Sequence, residues 1–344
     1  MIHARGLART FKTRRGAVEA VRGVDIDVRA GELVGFLGPN GAGKTTTLRM
    51  LTTLLDPTAG TATVAGVDLL RDPTEVRRRI GYVAQGGGAG PDVPVGEELI
   101  THGRLYRMPL AQARERAAEL FEQLDLAGLD KRPAKTLSGG QRRRLDVAMG
   151  LIHRPGLLFL DEPTTGLDPQ SRSNLWQHIR ALRAEHGVTV FLTTHYLDEA
   201  DALCDRVLVI DNGTIVAAGS PDELKRKVSG DAVTVTVAGT AAGTVAGAVT
   251  GTVAGDGAAA IAAEVAGRLP GAHEVAVDGA TVRLRVPHGD AALPALLREL
   301  DAAGVALSAL SVQRPTLDDV FLTLTGRGLR DAEAAAPAGP RGGW

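Results

Sequence analysis

The sequence predicts an α/β fold followed by a smaller α+β domain. Three observations predict it. The apolar run Leu33-Val34-Gly35-Phe36-Leu37 has the length and composition of a buried strand, and a glycine-rich loop and a helix start follow it directly. Residues 157–160 and 188–193 are further apolar runs of strand length, each ending in polar, chemistry-bearing residues. At 344 residues the chain is too long for one ordinary core, so two domains are expected.

The loop after the first run reads Gly38-Pro39-Asn40-Gly41-Ala42-Gly43-Lys44-Thr45-Thr46. Strand before and helix after are the setting that a phosphate-binding loop requires. Glycines 38, 41 and 43 let the backbone turn tightly and approach a ligand without Cβ clashes. Backbone N–H groups then converge at a helix N-terminus, where the dipole also favours anions. Lys44 would reach the β- and γ-phosphates, and the Thr45 hydroxyl would ligate Mg²⁺. A glycine-rich turn that merely carries a lysine is the plainer alternative, and the strand–loop–helix context weighs against it.

Composition narrows the partners. The formal net charge is -1, so no global basic field argues for nucleic acid. The single cysteine, Cys204, excludes an internal disulfide, fits a reducing compartment, and falls in a predicted helix as a packed thiol. No apolar stretch approaches bilayer length, and residues 1–6 contain no signal-peptide core. A soluble, cytoplasmic chain is expected, with any membrane span supplied by another protein.

Along the chain, residues 24–29 alternate as in a strand with one wet face. Phe11 precedes them in a basic stretch and either fills a core or stacks on a base. Residues 61–66 and 81–84 read as strands, the second ending at Gln85 before the flexible loop Gly86-Gly87-Gly88-Ala89-Gly90-Pro91. Residues 97–127 are helical in pattern. Leu137-Ser138-Gly139-Gly140-Gln141 precedes another helix, as either a second anion-ready N-terminus or a simple cap.

The run 157–160 delivers Asp161 and Glu162 at its C-terminal edge, where open α/β sheets place ligands. Adjacent strand residues face different ways, so one carboxylate can face a metal and the other an attacking water. Gly166-Leu167-Asp168-Pro169 turns into the helix at 170–185. The run 188–193 ends at Thr194-His195, where the histidine either caps the next helix or joins the acids at the same sheet edge. Asp211-Asn212-Gly213 between two short strands signals a hairpin, and the helix at 221–228 closes the first domain.

Taken in order, the phosphate loop, Gln85, the Leu137–Gln141 pentapeptide, Asp161-Glu162, Asp168 and His195 resemble the nucleotide-binding subunit of ATP-binding cassette (ABC) transporters, over residues 1–228. The resemblance implies a P-loop ABC ATPase domain: a mixed sheet with helices, an antiparallel arm and a helical subdomain at about 90–155. It implies ATP and Mg²⁺ as ligands. Residues 38–46 would hold the phosphates, Phe11 would stack on adenine, and Thr45, Gln85 and Asp161 would hold Mg²⁺. Glu162 would act as general base, and His195 would fix the γ-phosphate. Ser138, Gly139 and Gly140 would cover the ATP of a second subunit in a homodimer, and Asp168 would also bind the nucleotide. A separate membrane permease would hold the assembly at the cytoplasmic face.

Residues 102–108, 161–172 and 315–326 narrow the resemblance to drug-resistance exporter ATPases of the daunorubicin/doxorubicin type. The chain departs from that pattern in the Gly/Ala run after Gln85, and in Gln141 where close relatives often have Met. A lipid or polysaccharide exporter is the alternative. A non-transport ABC ATPase ranks lower, since neither a second cassette nor a long coiled coil is visible.

Residues 229–326 read as an accessory or regulatory domain. Its strand–helix–strand–strand–helix–strand order suggests a ferredoxin-like unit. Thr-Val-Ala-Gly recurs at 236–239, 244–247 and 252–255, a low-complexity insertion at 238–257. Residues 327–344 read as a disordered tail.

Overall fold

The computed structural model describes residues 1–14, 16–228, 230–238 and 255–326. Most of the low-complexity insertion and all of the tail read from the sequence lie outside the described residues. The chain forms two compact units, the first from Met1 to Pro221 and the second from Asp222 to Gly326.

In the first unit, β1 (Ile2–Thr13) and β2 (Gly16–Val28) form a long antiparallel pair. After β3 (Leu33–Leu37) and α1 (Lys44–Leu51) come β4 (Ala59–Val64) and β5 (Val67–Asp68), which complete an arm of order β2-β1-β4-β5. Next follow α2 (Pro73–Arg79), β6 (Ile80–Val83) and three helices, α3 (Val95–Leu105), α4 (Leu110–Gln123) and α5 (Gly139–Leu151). The chain returns through β7 (Leu157–Asp161), α6 (Pro169–His186), β8 (Thr189–Thr194), α7 (Leu197–Leu203), β9 (Arg206–Asp211) and β10 (Thr214–Gly219).

These strands form a six-stranded mixed sheet of order β10-β9-β3-β8-β7-β6. All neighbours are parallel except β10, which pairs antiparallel with β9. Strands β3, β7 and β8 are buried at every position, which explains the apolar runs Leu33–Leu37, Leu157–Leu160 and Val190–Leu192: a parallel sheet is covered on both faces. Phe36, Phe159 and Phe191 meet on these three strands, with ring centroids 5.6 and 5.7 Å apart. Each buried ring contributes about 1.5–3 kcal/mol. The hairpin at Asn212-Gly213 has positive φ at both residues (47° and 79°), as a tight primed turn requires.

The helical pattern over 97–127 is carried by two helices, broken where Arg107 takes a left-handed φ of 64° shortly before Pro109. Cys204, read inside a helix, instead follows α7 in an extended conformation, with its thiol buried.

Caps fix the helices that matter for the site. Asp168 accepts the Ser171 N–H and Pro169 opens α6, which ends at Gly187 in a left-handed conformation. Ser138 and Gln141 cap α5 reciprocally.

Helix α8 (Pro221–Val228), which the sequence places at the end of the first domain, lies from Asp222 onward in the second unit. Its Asp222, Lys225 and Arg226 line a cleft with Asp231, Asp290 and Arg314 of that unit. The order is then β11 (Asp231–Val237), α9 (Gly255–Gly267), β12 (His273–Asp278), β13 (Thr281–Val286), α10 (Gly289–Ala302), β14 (Leu307–Gln313) and α11 (Leu317–Thr325). The sheet order is β12-β13-β11-β14, antiparallel throughout, the split βαββαβ arrangement expected from the sequence. Alternate residues Val233, Val235, Val237, Val282, Leu284 and Val286 face the helices and form the core.

Candidate nucleotide site

The loop at 38–46 leaves the fully buried β3 and enters α1. Two of its glycines are obligatory on steric grounds. A Cβ on Gly38 would lie 2.3 Å from the Ile210 carbonyl oxygen, and one on Gly43, at φ 108°, 2.6 Å from that of Ala20. No side chain caps α1, which suits an anion at its N-terminus.

Lys44 is only 4% exposed. Its Nζ donates to the Gly38 oxygen at 2.7 Å and the Pro39 oxygen at 3.1 Å, and lies 3.3 Å from Glu162 Oε1. The lysine therefore crosses from the loop to the acid-bearing end of β7. Thr45 Oγ1 donates to Asp161 Oδ1 at 3.2 Å, and Thr193 Oγ1 donates to the same oxygen at 2.7 Å. Burial lifts the Asp161 carboxyl above its ordinary range, against the pull of the hydrogen bonds from Thr193 and Thr45.

Glu162 follows in a left-handed conformation, φ 44°, which costs a non-glycine residue about 1–3 kcal/mol and concentrates at functional sites. Its N–H donates to Thr193 Oγ1 at 3.0 Å and to the Thr193 carbonyl oxygen at 3.2 Å. Its Oε2 accepts from Gln85 Nε2 at 2.9 Å and from Thr165 Oγ1 at 3.2 Å. His195 Nδ1 lies 3.3 Å from the same oxygen, at ion-pair distance but off hydrogen-bonding geometry. Burial alone would raise the Glu162 carboxyl, but the His195 contact and the Lys44 charge outweigh it and bring it down to about 2. At neutral pH Glu162 is an ionised, acceptor-only carboxylate.

Lys44, Thr45, Gln85, Asp161, Glu162 and His195 thus meet in one group at the C-terminal edge of the sheet. The remaining sequence-predicted residues lie elsewhere. Phe11 sits on β1 opposite Val18, with the Arg9 guanidinium 4.8 Å from its ring centroid. Ser138, Gly139 and Gly140 open α5 and face the start of α6: a Cβ on Gly140 would come within 2.7 Å of Ser171 Oγ. Asp168 accepts from Ser171 N at 2.9 Å and from Ser171 Oγ at 2.6 Å, so it belongs to this second cluster.

Two contributors escaped the sequence reading, Thr193 and Thr165. The available signal was a pair of hydroxyls on either side of the site, Thr164-Thr165 after Pro163 and Thr193-Thr194 before His195.

The donor set fits Mg²⁺. A hydroxyl and a carboxylate oxygen converge at Thr45 and Asp161, hard ligands of the kind Mg²⁺ takes in ones and twos beside substrate phosphates. Among the described residues no group of three or more His, Cys, Asp or Glu could hold a metal unaided, so substrate and water would have to complete the shell. Among the described residues, too, no helix is long and apolar enough to cross a membrane.

Fold and site define a P-loop ATPase of the ATP-binding cassette class. Residues 21–165 match the family described as ABC transporter, and residues 219–325 match the C-terminal domain of ATP-binding proteins like DrrA1-3. The chain is 43% identical over 333 residues to the daunorubicin resistance ATP-binding protein DrrA2 of Streptomyces coeruleorubidus, covering 96% of this chain and 98% of that one. It is 39% identical over 325 residues to the Nod factor export ATP-binding protein I of Ralstonia nicotianae, covering 93% and 94%. Among solved structures it is similar to the dimeric ATP-binding cassette MJ0796 in a post-hydrolysis state bound to ADP and Pi, with TM-score 0.59 and 26% identity over 64% of this chain and 98% of the cassette. The chain belongs to the ABC transporter ATP-binding family, in its daunorubicin-resistance group. It is an ATP-hydrolysing, nucleotide-binding subunit.

Proposed function

We propose that this chain energises efflux of a drug- or antibiotic-like hydrophobic compound through a separate membrane permease. It would work as a homodimer held at the cytoplasmic face by that permease. The observation that carries the catalytic part is the setting of Glu162: an ionised carboxylate at a strand end, in contact with Lys44, Gln85 and His195.

Phosphoryl transfer to water needs positioning and charge stabilisation more than covalent chemistry. Lys44 exchanges its loop carbonyls and Glu162 for the β- and γ-phosphates of ATP. The amides of residues 38–46 line the phosphates. Thr45, Gln85 and Asp161 would hold Mg²⁺, which would neutralise phosphate charge when bound. Glu162, a carboxylate at neutral pH, accepts the proton of the attacking water once Lys44 has turned to the phosphates. His195 holds the γ-phosphate, and Phe11 stacks on the adenine in place of Arg9. Ser138, Gly139, Gly140 and Asp168 stand apart from Lys44 in one chain and would complete the ATP site of a second.

Similarity along 96% of the chain to a daunorubicin resistance protein supports the drug cargo. A second reading, a lipid or polysaccharide exporter, is favoured by the 39% identity to a protein named for Nod factor export. Co-expression with a candidate membrane permease in a drug-sensitive host tests the choice. Cells carrying the intact pair should accumulate less daunorubicin than cells in which the chain carries Lys44→Ala. Equal accumulation would reject the drug cargo.

A further inference from the structure

The glycine run after Gln85 reads as a flexible loop in the sequence, yet it is tied to a helix. The Gly88 N–H donates to Asp146 Oδ1 at 3.0 Å. Gly87 sits at φ +73°, where a Cβ would approach Asp146 Oδ2 to 3.2 Å, so a larger residue there is both strained and crowded. Asp146 lies on α5 and is 7% exposed. One turn earlier on the same helix stands Arg143, also 7% exposed, with Nη1 3.8 Å from Asp146 Oδ2.

Every nitrogen of the Arg143 guanidinium meets a carbonyl. Nη1 donates to Ala84 O at 2.6 Å, Nη2 to Asp161 O at 3.0 Å, and Nε to Pro163 O at 2.7 Å. Those carbonyls belong to the residue before Gln85 and to the residues on either side of Glu162. A guanidinium is a rigid planar fork, so three acceptors around one plane fix their mutual positions. Removing it would strand two buried carbonyls and one half-buried one, which is costly.

We infer that Arg143 and Asp146 are positioning residues, a clamp through which α5 sets the Gln85 loop and the Glu162 strand end against each other. Arg143 grips the loop before Gln85 and Asp146 grips it after, so the 2.9 Å bond between Gln85 and Glu162 depends on both. The helix that carries the clamp begins at the Ser138 cap. A shift in the Gln85 loop therefore displaces the Ser138 end of α5, and a load on that end reaches the catalytic strand. Thermodynamic coupling of this kind acts equally in both directions. Burial depresses the Arg143 pKa and raises that of Asp146, in keeping with a desolvated pair. The inference rests on the reading that Glu162 and Gln85 work the site.

Three full-chain variants test it. Arg143→Met removes the donors at similar length, Asp146→Ala removes the acceptor, and Asp146→Asn keeps an oxygen for the Gly88 N–H. ATPase kcat and KM are measured per nucleotide-binding site counted by calorimetry, beside amide hydrogen exchange at Gly88. Asp146→Ala should lose about tenfold in kcat, the size of one lost charge-assisted hydrogen bond, and Arg143→Met, which loses three, at least as much, with KM nearly unchanged in both. Asp146→Asn should recover most of that loss, and Gly88 exchange should accelerate in Asp146→Ala but not in Asp146→Asn. If Arg143→Met does not fold, Arg143→Lys keeps the charge without the three-way fork and should show the same kcat loss.

Unchanged kcat and Gly88 exchange in the deleting variants would overturn the clamp. So would a loss confined to the number of binding sites, which marks a purely structural role, or an Asp146→Asn variant as impaired as Asp146→Ala. Gly88 exchange reads the clamp independently of Glu162, so failure of the catalytic reading would show separately, as normal turnover in Glu162→Gln.

Discussion

Thr193→Val replaces a hydroxyl by a methyl of nearly the same shape and removes two contacts at the site. The stronger is the 2.7 Å hydrogen bond to buried Asp161 Oδ1. The weaker is the 3.0 Å acceptance from the Glu162 N–H, which keeps the Thr193 carbonyl oxygen as a second acceptor at 3.2 Å. A hydrogen bond to a charged group contributes about 1.5–3 kcal/mol, and the shared one less, so the nucleotide-free protein should lose about 2 kcal/mol. For a cooperative unit the size of the first, 1 kcal/mol moves Tm by about 2–4 °C, which gives a fall of about 4–8 °C. Thermal unfolding without nucleotide measures it. The Mg²⁺ concentration for half-maximal ATPase should rise as well, because Thr193 also orients the Asp161 oxygen that faces Thr45. A variant with unchanged Tm and unchanged Mg²⁺ dependence would refute the claim that Thr193 holds the carboxylate.

Other outcomes follow from the same geometry. Lys44→Ala removes the cation that bridges the loop and Glu162 and should weaken ATP binding about 10- to 100-fold by calorimetry. Chelation of Mg²⁺ by EDTA should abolish turnover, and a rate that survives would remove the Thr45–Asp161 pair from any metal role. His153 carries a pH signature. Burial lowers its pKa to about 4, and its ring stacks on Tyr106 at 3.7 Å between centroids. Unfolded, it binds a proton near pH 6.5; folded, it resists until about pH 4, so its contribution is complete above pH 6.5 and is lost as pH falls through that window. The loss is on the order of 3 kcal/mol. His153→Leu should therefore flatten the difference in urea stability between pH 7.5 and pH 4.5, and an unaltered difference would argue against it.

The sequence makes some features legible for clear physical reasons. Parallel strands buried on both faces leave apolar runs with at most β-branched threonines among them, so β3, β7 and β8 and the polar residues at their ends could be read directly. Six side chains picked from separate motifs meet in one group of hydrogen bonds and ion pairs because β3, β8, β7 and β6 are neighbours in the sheet. The full length of β1 is hidden by register shifts at Ala4/Leu7 and Arg9/Thr10, which break its alternation. Thr193 reads as a β-branched strand filler, and only the fold brings its hydroxyl to Asp161. Arg143 sits inside Arg142-Arg143-Arg144, a run that looks like a solvated helix face, and its burial follows from the packing of α5 beside β6 and β7. The break at Arg107 has no glycine to announce it, only Pro109 beyond.

The central claim is that Glu162 is the base of an ATP-hydrolysing site completed by a second copy of the chain. Glu162→Gln keeps the size and the contact with Gln85 but cannot accept a proton at neutral pH. Turnover should fall on the order of a hundredfold or more, while ATP binding survives through Lys44, Thr45 and Asp161. Removing a negative charge beside the γ-phosphate should also favour the ATP-bound state. Light scattering with saturating ATP and Mg²⁺, beside a turnover assay, should then find a long-lived dimer that disappears when nucleotide is withdrawn. A variant that hydrolyses ATP at the normal rate contradicts the role of Glu162, and an inactive variant that stays monomeric under saturating ATP contradicts the shared site.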